Sequence, residues 1–157
     1  MRSDLGKVAL IGPGAVGGFY GAMLAKSGVD LRFLFRSTYD AVKTNGLWLV
    51  HHAEGGRREP VDSFEAHSSV ESIGICDWVI VATKTTANPS LCDSIRPVIG
   101  KGTSLLTLQN GMGNVENLAD GFGSDRTILA GLCFTCINRT APNVIESLLP
   151  GYVQFGE

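Results

Sequence analysis

Three glycines spaced G-x-G-x-x-G, Gly12, Gly14 and Gly17, directly follow the apolar run Val8-Ala9-Leu10-Ile11 and open a stretch with helical periodicity. A strand that runs into such a loop and leaves it as a helix is the opening unit of a Rossmann-like, doubly wound α/β sheet. Each glycine has its own task. Gly12 permits the tight turn, Gly14 lacks the Cβ that would hold a pyrophosphate away from the backbone, and Gly17 lets the helix pack close to the strand. The free amides and the positive dipole end of the helix then face the phosphates. Residues Gly12, Pro13, Gly14, Ala15, Val16 and Gly17 are therefore expected to hold a dinucleotide.

The rest of the chain alternates in the same manner. After the first strand, a helix is expected over Ala15–Ser27, with Gly28 as its left-handed stop, and a second strand over Leu31–Phe35. A short helix over Thr38–Thr44 is closed by Asn45-Gly46. The segment from Leu47 to Ser69, with the turn residues Glu54-Gly55-Gly56, then reads as a β-hairpin inserted into the α/β pattern. Strands resume at Trp78–Ala82, Ser104–Leu108 and Ile128–Ile137, separated by helices over Asn88–Ile99 and Val115–Ala119. Residues Tyr152–Glu157 read as a further strand. The expected architecture is a mostly parallel sheet with helices on both faces and a ligand crevice beyond the carboxyl ends of the strands.

At 157 residues the length predicts one domain able to bury about two thirds of its unfolded surface. With 44% hydrophobic residues and a net charge of −2, the chain has a core to fill and no basic field for nucleic acid or anionic membranes. No apolar run reaches the roughly 20 residues of a membrane span and no signal peptide is visible, so the expected location is the cytoplasm. Cys133 and Cys136 spell C-x-x-C inside an apolar run, without a second ligand pair. They read as thiols of a buried strand, not as a redox or zinc site. His51, His52 and His67 lack metal-ligand spacing and are expected on solvent-facing strands. No metal site is expected.

Three strand ends carry the remaining chemistry. Arg36 closes the second strand, where an NAD-selective domain places an acid for the ribose 2′-hydroxyl; no acid stands between Leu31 and Tyr39. A planar cation there suits a 2′-phosphate and favours NADP over NAD. Ser37 and Thr38 add hydroxyls. Lys84 follows the next parallel strand and can neutralise phosphate, and Asn110 follows the one after, where its amide can donate to a carboxamide, hydroxyl or carboxylate.

Gly12-Pro13-Gly14-Ala15-Val16-Gly17, Arg36, Thr83-Lys84 and above all Gln109-Asn110-Gly111-Met112-Gly113 resemble the N-terminal half of the ketopantoate reductase (2-dehydropantoate 2-reductase) family. The resemblance spans nearly the whole chain. It implies that Arg36 and Lys84 hold the 2′-phosphate of NADPH, that Asn110 contacts both the nicotinamide side and the substrate, and that the strand through Gly131 to Ile137 passes the nicotinamide, with Ile137 as a cofactor contact. It also implies hydride transfer from NADPH to the keto carbon of 2-dehydropantoate, giving pantoate for pantothenate synthesis.

Family members continue into a helical C-terminal domain that carries the catalytic lysine and a substrate-binding glutamate, and that domain is absent from residues 1–157. No catalytic residue is assignable here; Lys101 and Glu157 match only in residue type. The expected partners are a small 2-oxo acid, the missing domain and a second copy in a homodimer. Two alternatives stay open: a stand-alone NADP-binding module or sensor, and a related reductase acting on another 2-oxo acid.

Overall fold

The computed structural model describes residues 4–156. Nine strands form one sheet, in the order β4-β3-β9-β8-β7-β6-β1-β2-β5. The strands are β1 (Lys7–Ile11), β2 (Asp30–Leu34), β3 (Leu47–His51), β4 (Arg57–Val61), β5 (Phe64–His67), β6 (Cys76–Val81), β7 (Ile99–Thr107), β8 (Ile128–Ala141) and β9 (Val144–Gly156). The helices are α1 (Ala15–Lys26), α2 (Tyr39–Asn45), α3 (Asn88–Ile95) and α4 (Asn114–Phe122). From β8 to β5 all neighbouring strands run parallel. The β8–β9 and β3–β4 pairings are antiparallel, whereas β9 and β3 run parallel to each other.

The uninterrupted apolar run of β1 follows from burial on both faces. Val8 and Leu10 join Phe19, Ala22 and Phe33 in the core under α1, while Ala9 and Ile11 join Val79, Leu91, Ile95 and Leu118 under α3 and α4. The expected doubly wound sheet is thus present, and its local details differ in instructive ways. The segment expected as one hairpin splits. Leu47–Val61 does form an antiparallel hairpin, β3–β4, but Phe64–His67 crosses to the opposite edge of the sheet and runs parallel to β2. There Phe64 packs edge-on against Phe33, with ring centroids 5.2 Å apart.

The helix expected over Asn88–Ile99 ends at Ile95. Pro97 lacks an N–H for the next helical bond, and Arg96–Val98 tightens into a 3₁₀ turn before β7 starts. The largest difference lies at β8 and β9. The strand expected to stop at Ile137 continues to Ala141, turns at Pro142-Asn143, and returns as a 13-residue strand that includes the expected Tyr152–Gly156 segment. Glu157 lies outside the described residues.

The thiol and histidine expectations need correction. Cys133 is half-buried, but Cys136 is exposed on the β8–β9 hairpin. His51 is buried, with its Nε2 2.8 Å from the Glu59 Oε1 across β3–β4. The hairpin is folded against α1, so His51 packs inward beside Phe19 instead of facing solvent. His67 is likewise half-buried, with Nδ1 at 2.7 Å from the Ser72 hydroxyl.

Candidate dinucleotide site

The glycine loop has the geometry that its spacing predicts. Gly12 has φ +85°, a left-handed backbone, and a Cβ there would stand 2.7 Å from the Thr83 backbone nitrogen. At Gly17 a Cβ would lie 2.5 Å from the Gly12 carbonyl oxygen and 2.7 Å from the Ala82 Cβ. Gly14 differs from both: apart from its chain neighbours, no atom lies within 4 Å of its would-be Cβ, so the space above it is open. The Gly14 amide donates back to the Gly12 carbonyl at 2.7 Å, closing the turn at the N-terminus of α1. That helix has no acidic residue in its first turn and no side-chain cap, so its amide end is left for an anion.

A cleft of about 340 Å³ opens at this loop, beyond the carboxyl ends of β1, β2 and β6. Its walls bring Gly12, Pro13 and Gly14 together with Arg36, Ser37 and Thr38 from the end of β2, and with Thr83 and Lys84 from the end of β6. Among the described residues no carboxylate lines it, and neither Arg36 nor Lys84 pairs with an acid. Uncompensated positive charge beside free helix amides makes an anion site that a phosphorylated ligand would neutralise.

The remaining expected residues lie around this cleft without lining it. Ala15 and Val16 form the first turn of α1, and Gly17 is buried beneath it. Ile137 is a core residue, packed with the α1 cluster. Asn110 is exposed in the turn after β7, and its neighbours Gln109 and Gly111 line a second cavity of about 340 Å³ together with Asn114 and Gly131. Lys101 lies in the amino-terminal part of β7, away from Asn110.

A polar network that was not read from the sequence fixes this second turn. Gln109 donates from Nε2 to the Asn88 Oδ1 at 2.8 Å and to the Thr83 hydroxyl at 3.1 Å, while the Thr107 hydroxyl donates to Gln109 Oε1 at 3.2 Å. Asn88 donates onward to the Asn114 Oδ1 at 3.0 Å, and Asn114 Nδ2 donates to the Gly111 carbonyl at 3.1 Å. The loop after β6, the start of α3 and the Asn110 turn are thereby one unit. Arg139, also missed, projects from the far end of β8 and lines the glycine-loop cleft. The signal for it was the β-turn pair Pro142-Asn143, which marks where β8 ends.

Sheet order, glycine loop and cationic cleft together define a Rossmann-type nucleotide-binding domain. The chain belongs to the ketopantoate reductase PanE/ApbA family, whose model matches residues 8–157. It is 38% identical to a 2-dehydropantoate 2-reductase of Nostoc sp. over 151 residues, 96% of this chain and 46% of that protein. A 2-dehydropantoate 2-reductase of Aquifex aeolicus is 30% identical over 130 residues, 82% of this chain and 39% of that protein. Among solved structures, the 2-dehydropantoate 2-reductase from Geobacter metallireducens superposes with a TM-score of 0.87 at 41% identity, over 96% of this chain and 49% of that one. D-mandelate dehydrogenase, in a ternary structure with NADH and anilino(oxo)acetate, superposes with a TM-score of 0.83 at 25% identity, over 95% of this chain and 47% of that one. The chain spans about half the length of the relatives it matches.

Proposed function

We propose that this chain is the cofactor-binding domain of an NADPH-dependent reductase that converts 2-dehydropantoate to pantoate, with the substrate and proton-donor residues supplied by a helical C-terminal domain. The observation that carries the cofactor reading is the acid-free cleft in which Gly14, Arg36 and Lys84 meet. In this reading the amides of the glycine loop take the diphosphate, and Arg36 and Lys84 take the 2′-phosphate that separates NADPH from NADH. Asn110, held by its turn, donates to the nicotinamide side and to the substrate, while Gly131 and the adjoining β8 backbone border the nicotinamide. When bound, the cofactor supplies a hydride to the keto carbon, and a proton delivered to the oxygen completes the hydroxyl.

The relatives' greater length supports the two-domain reading. So does an uncovered apolar groove of about 380 Å³ between α1 and the sheet, with Met23, Trp78, Ile80, Leu129, Val153 and Phe155 in its walls. We assign that groove to the second domain as its docking surface. A different 2-oxo acid substrate is the second reading, favoured by the likeness to D-mandelate dehydrogenase.

Calorimetric titration with NADPH and NADH, for the chain and for Arg36→Ala, tests the cofactor reading. Preferential NADPH binding that falls to the NADH level in the variant is the expected result. Binding of neither nucleotide, or an unaltered preference in the variant, would refute it. Turnover of 2-dehydropantoate against other 2-oxo acids, with the second domain present, decides between the substrates.

A further inference from the structure

Arg139 is a third cation on the cleft, and its position is set by the hairpin that the sequence alone did not reveal. The parallel register of β7 with β8 ends at Thr107 and Ala130, after which β8 runs on to Ala141 paired only with β9. Arg139 stands directly across from Ile145 of β9. Ile145 is buried over the start of α1, so close that a Cβ on Gly18 would lie 2.2 Å from its Cδ1. Cross-strand partners share a face of the pair. Arg139 is therefore aimed at the amino end of α1, where it lines the cleft beside Pro13 and Gly14. It is exposed and, among the described residues, has no carboxylate partner.

We infer that Arg139 binds the diphosphate bridge of the dinucleotide, closing from the β8 side the anion site that the glycine-loop amides form from the α1 side. This rests on the dinucleotide reading of the cleft and divides its charges by task. Arg36 and Lys84 read the 2′-phosphate and so set the choice between NADPH and NADH. Arg139 holds the group common to both, through the two-pronged hydrogen bonding that a planar guanidinium makes to phosphate oxygens. It raises affinity without contributing to cofactor choice.

The test titrates the chain, Arg139→Ala and Arg139→Lys with NADPH, NADH and adenosine 2′-monophosphate, which carries the 2′-phosphate but no diphosphate bridge. In Arg139→Ala, NADPH and NADH should both weaken by about tenfold, the order expected for a charged hydrogen bond at an open site, with the monophosphate unchanged. Arg139→Lys should recover part of the loss. Because the side chain is exposed, the thermal midpoint should stay that of the parent. Unchanged NADPH affinity in Arg139→Ala, or a loss confined to the 2′-phosphorylated ligands, overturns the inference while leaving the dinucleotide reading intact. If the parent chain binds neither dinucleotide, the dinucleotide reading itself fails and this one fails with it.

Discussion

The Gln109 side-chain amide donates to the Asn88 Oδ1 at 2.8 Å, joining the end of β7 to the start of α3. Asn88 opens α3 just after the loop that carries Lys84, and Gln109 immediately precedes Asn110, so one buried amide ties two strand ends of the crevice together. Gln109→Leu removes the bridge and leaves the Asn88 and Thr83 groups without their partner. We expect a loss of about 2 kcal/mol of stability in urea unfolding and a weakened affinity for dinucleotide. An unfolding midpoint equal to the parent's would show that the bridge carries no weight.

Gly14 and Gly17 should respond in opposite ways to the same substitution. A Cβ at Gly14 meets nothing in the protein, whereas at Gly17 it runs into the Gly12 carbonyl and Ala82. Gly14→Ala should cost less stability than Gly17→Ala and lose most of its dinucleotide affinity, since the added methyl enters space open to the ligand. Gly17→Ala should cost about 1–3 kcal/mol through forced separation of α1 from the sheet. Calorimetry combined with thermal unfolding reads both. Equal nucleotide affinity in Gly14→Ala and the parent would remove the pyrophosphate from this loop.

Glu59 anchors the β3–β4 hairpin to α1. Its carboxylate takes a hydrogen bond from Lys26, with further ones from Arg57 and His51, and these hold its pKa down at about 2 against the opposing effect of burial. A carboxylate whose pKa is lower in the folded state contributes stability above its unfolded pKa near 4.3, and that contribution disappears as pH falls through about 2. Glu59→Gln should therefore be less stable than the parent by about 1 kcal/mol at pH 7. The difference should shrink between pH 4 and pH 2. A gap that is constant across that range would mean that charge is irrelevant to this contact.

The groove under α1 predicts association of the isolated chain. Met23 and Phe155 stay 41% and 58% exposed on its rim, and Phe134 and Tyr152 stack at 4.9 Å on the same uncovered hairpin. Apolar surface of this extent seeks a partner. Sedimentation velocity should show dimers or larger species at roughly 100 µM, with Met23→Lys/Phe155→Lys returning the chain to monomer. Adding the second half that the relatives possess should have the same effect. A parent chain that stays monomeric throughout this range would contradict the expectation.

The parallel core was legible because its signals are local. Continuous apolar runs such as Trp78–Val81 and Val8–Ile11 announce strands covered on both sides, and glycine spacing announces the loop between β1 and α1. The cleft was partly legible for the same reason: Arg36 and Lys84 follow apolar runs, and parallel strands deliver their ends to one rim. What escaped was non-local. Nothing near Phe64 in sequence says that it will pack on Phe33 at the far edge. Nor does the polar stretch Asn138-Arg139-Thr140 look like strand, because its pairing is with residues of β9 that buries only one face.

The sequence by itself therefore determined the α/β class, the dinucleotide loop and the family resemblance, since each is written in spacings of a few residues within one strand–loop–helix unit. Only the tertiary structure decided that the Leu47–His67 segment parts to opposite sheet edges, that β8 and β9 form one long hairpin, and that Arg139 and the Gln109–Asn88–Asn114 network stand at the crevice. Those outcomes depend on which distant surfaces bury one another, and the free energy of that burial belongs to pairs of segments and cannot be read from either one alone.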